Sequence, residues 1–341
     1  SFSTSLSVSE QKALFELKEM LEYPIALSSW TEQTDFCNLP SSPTLTLSCD
    51  YEEDNTIFLT HLEIIGDRGS SFNEAGNGSS RLSQDFSSES LFLHLTNFTK
   101  MKTLHLSSLG LWGPISSKLG RLTYLETLNL TSNFFQGVLP NRLTSLQSLR
   151  VLCLDGNMLN GTLPQKLSSL GNLSVLTLAN NKMYGAIPNS VSVLTHLQEL
   201  DLSSNLFSSL PPPSLFSLPN LTSLNMARNH FTGVLPNNLT FSTTLTFLDL
   251  SFNLFTGALP SAIRSLSILD TAQQPLVQVN FQWNCFSTDL QPQNPFSHCA
   301  DAALASGLGP DLGAYPSPLH AKHAKSRMIL MGLIGGAIAL I

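Results

Sequence analysis

The chain repeats one short pattern with a constant period through its middle. The pattern is Leu-x-Leu-x-x-Asn, in which Met226 once replaces the second leucine, and its asparagines follow one another at intervals of 24 residues. The six copies begin at Leu128, Leu152, Leu176, Leu200, Leu224 and Leu248. A leucine-rich helical protein would repeat its apolar residues every three or four positions instead. The constant period therefore predicts a solenoid, in which each unit buries its apolar face against its neighbours.

Each position of the repeat has a physical role. The two leucines point the same way from a short strand, because strand side chains alternate. The asparagine lies where the chain leaves the strand, so its amide can bond main-chain groups of adjacent turns and form a ladder. A glycine and a Leu-Pro or Ile-Pro pair follow in most copies and suit an irregular convex side. We expect an α/β repeat solenoid, a right-handed leucine-rich-repeat superhelix with short parallel strands on the concave face, 3-10 or irregular convex segments and a helical N-terminal cap.

Departures from the period locate the irregular parts. About nine repeats fill residues 57–284, including an earlier strand at Leu62–Ile64 and a unit at Leu104. Residues 68–90 are rich in Ser, Gly and Asn, which predicts a solvent loop inserted into the solenoid. The unit at Leu200 lacks its glycine and is one residue short before Pro211, so we expect it to be locally irregular. Seven extra residues lie within 261–278.

Both ends of a solenoid expose apolar surface and must be capped. Residues 1–56 supply an N-terminal cap with an amphipathic helix, and 285–299 supply a C-terminal cap. Two cysteine pairs, one in each cap, predict disulfides rather than a zinc site, which needs tighter grouping of four ligands. The predicted pairs are Cys37 with Cys49 and Cys285 with Cys299. Cys153 lies between two strand leucines, and we expect it to be an unpaired thiol without a redox role.

Cysteine pairs and glycosylation sequons together indicate the secretory pathway. Seven Asn-x-Ser/Thr sequons occur, at Asn77, Asn97, Asn129, Asn160, Asn172, Asn220 and Asn238. The net charge is −7, without a basic cluster interleaved with aromatics, so a nucleic-acid partner is not expected. Residues 300–327 indicate a juxtamembrane linker, and 328–341 are uncharged and predict the start of a truncated transmembrane helix, with a short buried helix as the alternative. On this interpretation residues 1–327 are extracellular on a single-pass plasma-membrane protein.

These features together resemble the plant leucine-rich-repeat receptor-like kinases. The resemblance rests on the Trp30 and cysteine-paired N-terminal cap, the 24-residue repeats, the second cysteine pair and the terminal apolar run. Residues 108–115, the Ser-rich insertion and residues 294–299 are more narrowly similar to the group labelled "probable inactive" receptor-like protein kinases. The resemblance implies that a single helix connects this ectodomain to a cytoplasmic kinase-homology domain. No kinase motif lies within this chain.

We predict a binding protein rather than an enzyme, without a catalytic site, metal or cofactor. The eight histidines are scattered, and the closely spaced His320 and His323 fit a basic linker better than a metal site. The expected partner is a peptide or protein, including another leucine-rich-repeat ectodomain as co-receptor. The alternative is a secreted cell-wall inhibitor or recognition protein of the polygalacturonase-inhibitor type. An enzyme would require the kinase domain beyond this chain.

Candidate binding residues lie on the concave positions of the later repeats. There the side chains combine aromatic anchors with charges of both signs, whereas the early repeats carry small or neutral residues such as Thr127 and Val151. The predicted ligand-binding residues are Glu199, Asp201, Asn225, Arg228, Phe247, Asp249 and Phe252.

Overall fold

A computed structural model describes residues 6–54, 56–68, 81–268, 277–287, 293–294 and 299. Ten strands form one sheet, here called the concave sheet, with the Leu-x-Leu units in register. Its strands are Leu45–Tyr51, Ile57–Ile65, Thr103–Ser107, Thr127–Asn129, Val151–Cys153, Val175–Thr177, Glu199–Asp201, Ser223–Asn225, Phe247–Asp249 and Gln278–Asn280. Only the first strand of the sheet pairs antiparallel, with Ile57–Ile65, and all later pairs are parallel. The predicted solenoid is confirmed.

A second sheet, the lateral sheet, forms after the turn that ends each concave strand. Its eight strands are Trp112–Pro114, Phe134–Gly137, Met158–Gly161, Lys182–Gly185, Leu206–Ser209, His230–Val234, Leu254–Gly257 and Cys285–Phe286. Short 3-10 helices carry the chain across the convex side and in the N-terminal cap. They are Ile25–Leu27, Phe36–Asn38, Ser117–Arg121, Asn141–Ser145, Leu167–Ser169, Asn189–Val193 and Pro213–Leu215.

Three α-helices complete the described part of the chain: Val8–Met20, Ser88–Leu95 and Ser261–Ile268. The first begins at Ser7, whose hydroxyl accepts a hydrogen bond from the Glu10 amide at 3.2 Å. Its Ala13, Leu14 and Leu17 are buried against the solenoid. The buried Glu10 carboxylate also accepts the Leu59 amide at 3.3 Å, which ties the cap to the first full repeat.

The core consists of leucine layers and a column of phenylalanines. Four phenylalanines on consecutive lateral strands stack nearly parallel with centroids 6.1–6.2 Å apart. They are Phe207, Phe231, Phe255 and Phe286. The phenylalanine column therefore runs through the last four lateral strands, while the leucine layers run along the whole solenoid, and no unit buries its own core alone.

The predicted asparagine ladder is present. Asn157, for example, donates to the carbonyls of Leu130 and Leu154 at 3.0 Å and accepts the Phe135 amide at 3.0 Å. The same bonds recur from Asn133 to Asn284. Each asparagine thereby satisfies main-chain groups of its own and the preceding repeat that burial would otherwise leave unpaired.

The interpretation of residues 68–90 as a solvent loop is wrong for its second half. Leu82 and Phe86 are buried, and the helix Ser88–Leu95 begins within the segment. Leu82 and Phe86 are separated by serines and other polar residues, so the Ser-rich composition of the segment did not indicate that they are buried. Residues 69–80 lie outside the described part of the chain.

The two other irregularities have structural counterparts. Ser209 takes the place of the missing glycine and adopts φ 67°, in the left-handed region that glycine occupies in the neighbouring repeats. The helix Ser261–Ile268 lies within the segment that carries the extra residues before the last concave strand.

Both predicted disulfides are formed, between Cys37 and Cys49 and between Cys285 and Cys299. No helix in the described ranges is long and apolar enough to span a bilayer. The apolar run 328–341 and the linker 300–327 lie outside the described residues.

Candidate recognition surface

Two columns of side chains point outward from the concave sheet. One column precedes the first leucine of each unit, and the other lies between the two leucines. In the first column the half-buried side chains change from Thr127 and Val151 in early repeats to Glu199 and Phe247 in later ones. The predicted difference in chemistry between the two halves of the concave face is therefore present at the surface.

Side chains of the second column form hydrogen bonds with the backbone at the ends of their strands. Asp201 accepts the amide of Ser203 at 2.8 Å, and Asp249 accepts that of Ser251 at 2.8 Å. Asn225 donates to the other oxygen of Asp201 at 3.0 Å. Such side-chain acceptors satisfy the amide two residues onward, where the strand turns away. These three predicted binding residues thus support the fold as well as face the concave side.

In one repeat the acceptor for this amide belongs to the preceding repeat. Thr177 replaces the Asp or Asn of the second column, and the Ala179 amide instead donates to Asp155 of the preceding repeat at 2.6 Å. The Thr177 hydroxyl donates to the other carboxylate oxygen of Asp155. Burial raises the pKa of Asp155 to about 6, against the effect of these hydrogen bonds, and the charge of Asp201 acts in the same direction as burial.

Cys153 is unpaired and almost fully buried. It belongs to the second column of the concave sheet, but only 1% of the residue is accessible. Burial raises the pKa of its thiol to about 11, so the thiolate needed for redox chemistry is disfavoured.

Arg228 and Phe252 occupy the last variable position of their repeats. Both follow their concave strands and lie in the turn before the ladder asparagine, with φ of 56° and 55°. Trp283 occupies the same position in the last repeat, with φ 58°.

These three side chains form what we call the aromatic ridge. The Arg228 guanidinium carbon lies 4.2 Å from the centroid of the Phe252 ring. The Phe252 and Trp283 rings stack with centroids 5.8 Å apart and an interplanar angle of 17°. Sequence reasoning missed Trp283, although its place directly before Asn284 matches that of Phe252 before Asn253 and could have identified it.

The ridge has no counterpart in the earlier repeats. The equivalent turn positions hold small or polar residues: Ser108, Ser132, Gly156, Asn180 and Ser204. Arg81 and Leu82 also cover part of the early lateral surface. Arg81 lies 4.9 Å over the Phe134 ring, and Trp112 donates a hydrogen bond to the Leu82 carbonyl at 3.1 Å. An open aromatic edge is therefore a feature of the later repeats.

Comparisons with known proteins match this architecture. Models of the leucine-rich repeat match residues 124–146, 148–170 and 195–255. The chain contains leucine-rich repeats. It is 40% identical over 121 residues to a "probable inactive leucine-rich repeat receptor-like protein kinase" of Arabidopsis thaliana, covering 36% of this chain and 13% of that protein. The resemblance to plant leucine-rich-repeat receptor-like kinases is confirmed.

Two solved receptor structures are similar to these leucine-rich repeats. The plant peptide hormone receptor RGFR1, in complex with RGF2, is 32% identical with a TM-score of 0.53, over 57% of this chain and 30% of that one. The ectodomain of the Arabidopsis thaliana membrane receptor kinase GASSHO1/SCHENGEN3, in complex with CASPARIAN STRIP INTEGRITY FACTOR 2, is 32% identical with a TM-score of 0.51, over 57% of this chain and 26% of that one. The chain therefore spans much less than two thirds of the length of these relatives, and what it matches is the repeat region.

The sequons of this leucine-rich-repeat chain lie in different environments. The exposed ones are Asn97, Asn160, Asn172, Asn220 and Asn238. Asn129 is half-buried on a concave strand, where its side-chain oxygen accepts the Thr131 amide at 3.0 Å. Asn77 lies outside the described residues. Glycosylation at these positions remains a prediction.

Nothing among the described leucine-rich repeats is arranged as a metal centre. No group of three or more His, Cys, Asp or Glu side chains in that part of the chain is placed to hold an ion.

Proposed function

We propose that this chain is the extracellular ligand-binding ectodomain of a single-pass plant receptor-like kinase. Its partner would be a peptide or protein, including a second leucine-rich-repeat ectodomain. Residues 1–56, 57–284 and 285–299 would form the cap, solenoid and second cap, and 300–327 and 328–341 the linker and membrane helix. The similarity to receptors whose structures contain RGF2 or CASPARIAN STRIP INTEGRITY FACTOR 2 supports recognition of a peptide.

The aromatic ridge is the observation that carries this proposal. Aromatic and arginine side chains dominate binding energy where they cluster, and here they lie beside the concave Phe247 and Asp249. An arginine stacked on an aromatic ring keeps its N–H groups available for a partner's carboxylate or carbonyl. The proposed contact surface therefore comprises the later concave strands and the ridge next to them.

A binding panel tests this proposal. Secreted plant signalling peptides and isolated leucine-rich-repeat ectodomains are applied to the immobilised protein, and binding is measured by biolayer interferometry. The variant combines Phe247→Ala, Asp249→Asn and Phe252→Ala, because asparagine at 249 keeps the acceptor for the Ser251 amide. We expect affinity for any binder to fall by more than about tenfold, as for hot-spot residues.

The matched control combines Thr127→Ala and Val151→Ala, which occupy the Phe247 column in early repeats. Binding to this control should equal that of the wild type. If a partner bound the control protein more weakly and the triple variant as tightly as the wild type, recognition would lie on the early repeats. A panel without any binder would contradict recognition of peptides and ectodomains.

A further inference from the structure

Charge is segregated between the two sides of the solenoid. The convex segments 113–125, 137–149, 161–173, 185–197, 209–221 and 233–245 contain no Asp or Glu, although the whole chain has a net charge of −7. The same segments carry four basic side chains, Lys118, Arg121, Arg142 and Lys166. In these repeats the acidic residues belong to the concave strands and the segments next to them, as with Glu126, Asp155 and Asp201. The convex side of the first three of these segments is therefore cationic on an acidic protein.

A groove lies within this cationic side, between the convex segments of two successive repeats. It has a volume of about 760 Å³ and is lined by residues 138–142, 144–145 and 162–166. Arg142 and Lys166 both line it and are exposed. Among the described residues neither side chain forms an ion pair, whereas Lys118 pairs with Glu89 at 2.8 Å. The groove thus presents two uncompensated positive charges.

The remaining lining is polar with an aliphatic component. Asn141, Gln165 and Thr144 offer amide and hydroxyl groups, and Val138 and Pro140 offer C–H surface. Amides and hydroxyls match a ligand rich in hydroxyl groups, and the aliphatic surface matches the C–H face of a sugar ring. Free arginine and lysine side chains match carboxylates, through charge-assisted hydrogen bonds.

We propose that this convex groove binds an acidic oligosaccharide, a chain of uronic-acid residues whose carboxylates engage Arg142 and Lys166. The lining contains no aromatic side chain on which nucleobases could stack, which disfavours a single-stranded nucleic acid. The site lies apart from the aromatic ridge, so it adds a second ligand class to the protein and is independent of peptide recognition.

Titration with oligogalacturonate tests this site, using the whole ectodomain after glycosidase treatment, because the Asn160 sequon ends at Thr162 in the groove lining. The double variant Arg142→Glu with Lys166→Glu should bind at least about tenfold more weakly, since each loses a hydrogen bond to a charged group. The control Lys182→Glu reverses one charge at an exposed position on the lateral sheet, as each of the two groove substitutions does, and should bind as the wild type does.

Fully methyl-esterified oligogalacturonate provides the ligand control, because it keeps the hydroxyl pattern without the charge. It should bind much more weakly than the acid, and added NaCl should weaken binding of the acid. Equal binding of acid and ester, or equal losses in the double variant and in Lys182→Glu, would overturn the proposal. The proposal would also be overturned if the protein failed to bind oligogalacturonate but bound anionic phospholipid vesicles.

Discussion

At the scale of single residues, one recurring requirement explains most of the polar side chains on the concave face. The amide two residues beyond each second-column position needs an acceptor, and Asp201, Asn225 and Asp249 supply it within their own repeats. Asp155 supplies it for the following repeat, at Ala179. In the repeats of Asp201, Asn225 and Asp249 the side chain at this position therefore serves the backbone before any ligand is considered, whereas Thr177 holds the position without being the acceptor.

Removing the acceptor at Asp155 should destabilise the fold. Asp155→Ala leaves the Ala179 amide and the Thr177 hydroxyl without their partner, and we expect a loss of about 1–3 kcal/mol in the free energy of unfolding. Urea denaturation followed by circular dichroism measures it. Ser203→Ala, at the equivalent position of a repeat that uses its own Asp201, is the control and should change stability little. Equal stabilities of the two variants would contradict this role.

The raised pKa of Asp155 gives stability a defined pH dependence. Its folded-state pKa of about 6 lies above the ordinary value of 3.8, so the folded protein binds the proton more tightly than the unfolded chain. The stabilisation is fully present below the unfolded pKa and is lost as pH rises through about 6. Burial raises the pKa of Glu199 and Asp201 in the same direction.

The unfolding free energy of the wild type should therefore fall between pH 4 and pH 6, by on the order of 2 kcal/mol from Asp155. Asp155→Asn cannot titrate, so its stability should fall less over the same interval, whatever its absolute value. Urea midpoints measured across this range test the slope. Parallel curves for the two proteins would show that Asp155 does not titrate as described.

At the scale of structural elements, the 24-residue period predicted the strands and the asparagine ladder. It did not predict features that occur in only one or a few repeats. The leucine spacing gave the strands and the asparagine gave the ladder, because both are repeated local requirements. The buried positions of Leu82 and Phe86 were not predictable, since two apolar residues in a Ser-rich segment show no period. The left-handed backbone at Arg228 and Phe252 was also not predictable, since neither residue type favours a positive φ.

The ladder should be the most sensitive element to a single substitution. Asn205 donates to the Leu178 carbonyl at 2.8 Å and accepts the Met183 amide at 3.0 Å, and both groups belong to the preceding repeat. Asn205→Ala leaves buried groups of both repeats unpaired, so we expect a loss of about 3 kcal/mol or more. Asn189→Ala, at an exposed convex asparagine, is the control in thermal unfolding. A similar melting temperature for both variants would contradict the ladder's contribution.

At the scale of the whole molecule, the solenoid separates its faces. The cap helix, the segment 81–86 and the two disulfides close the ends and cover the early lateral surface. The later concave strands and the aromatic ridge remain open, and the convex side of the early repeats is cationic. The sequence predicted the later repeats as the candidate surface from residue type alone, but the stacking that joins Arg228, Phe252 and Trp283 into one surface required the structure.

Hydrogen–deuterium exchange of the ectodomain with and without a partner identified by the binding panel tests the central claim most directly. The account predicts slower exchange in the last three concave strands and the turns that follow them, residues 223–228, 247–252 and 278–283, with early strands unchanged. Protection confined to residues 103–108 and 127–132, or to the convex segments, would contradict the assignment of recognition to the later concave face and its ridge.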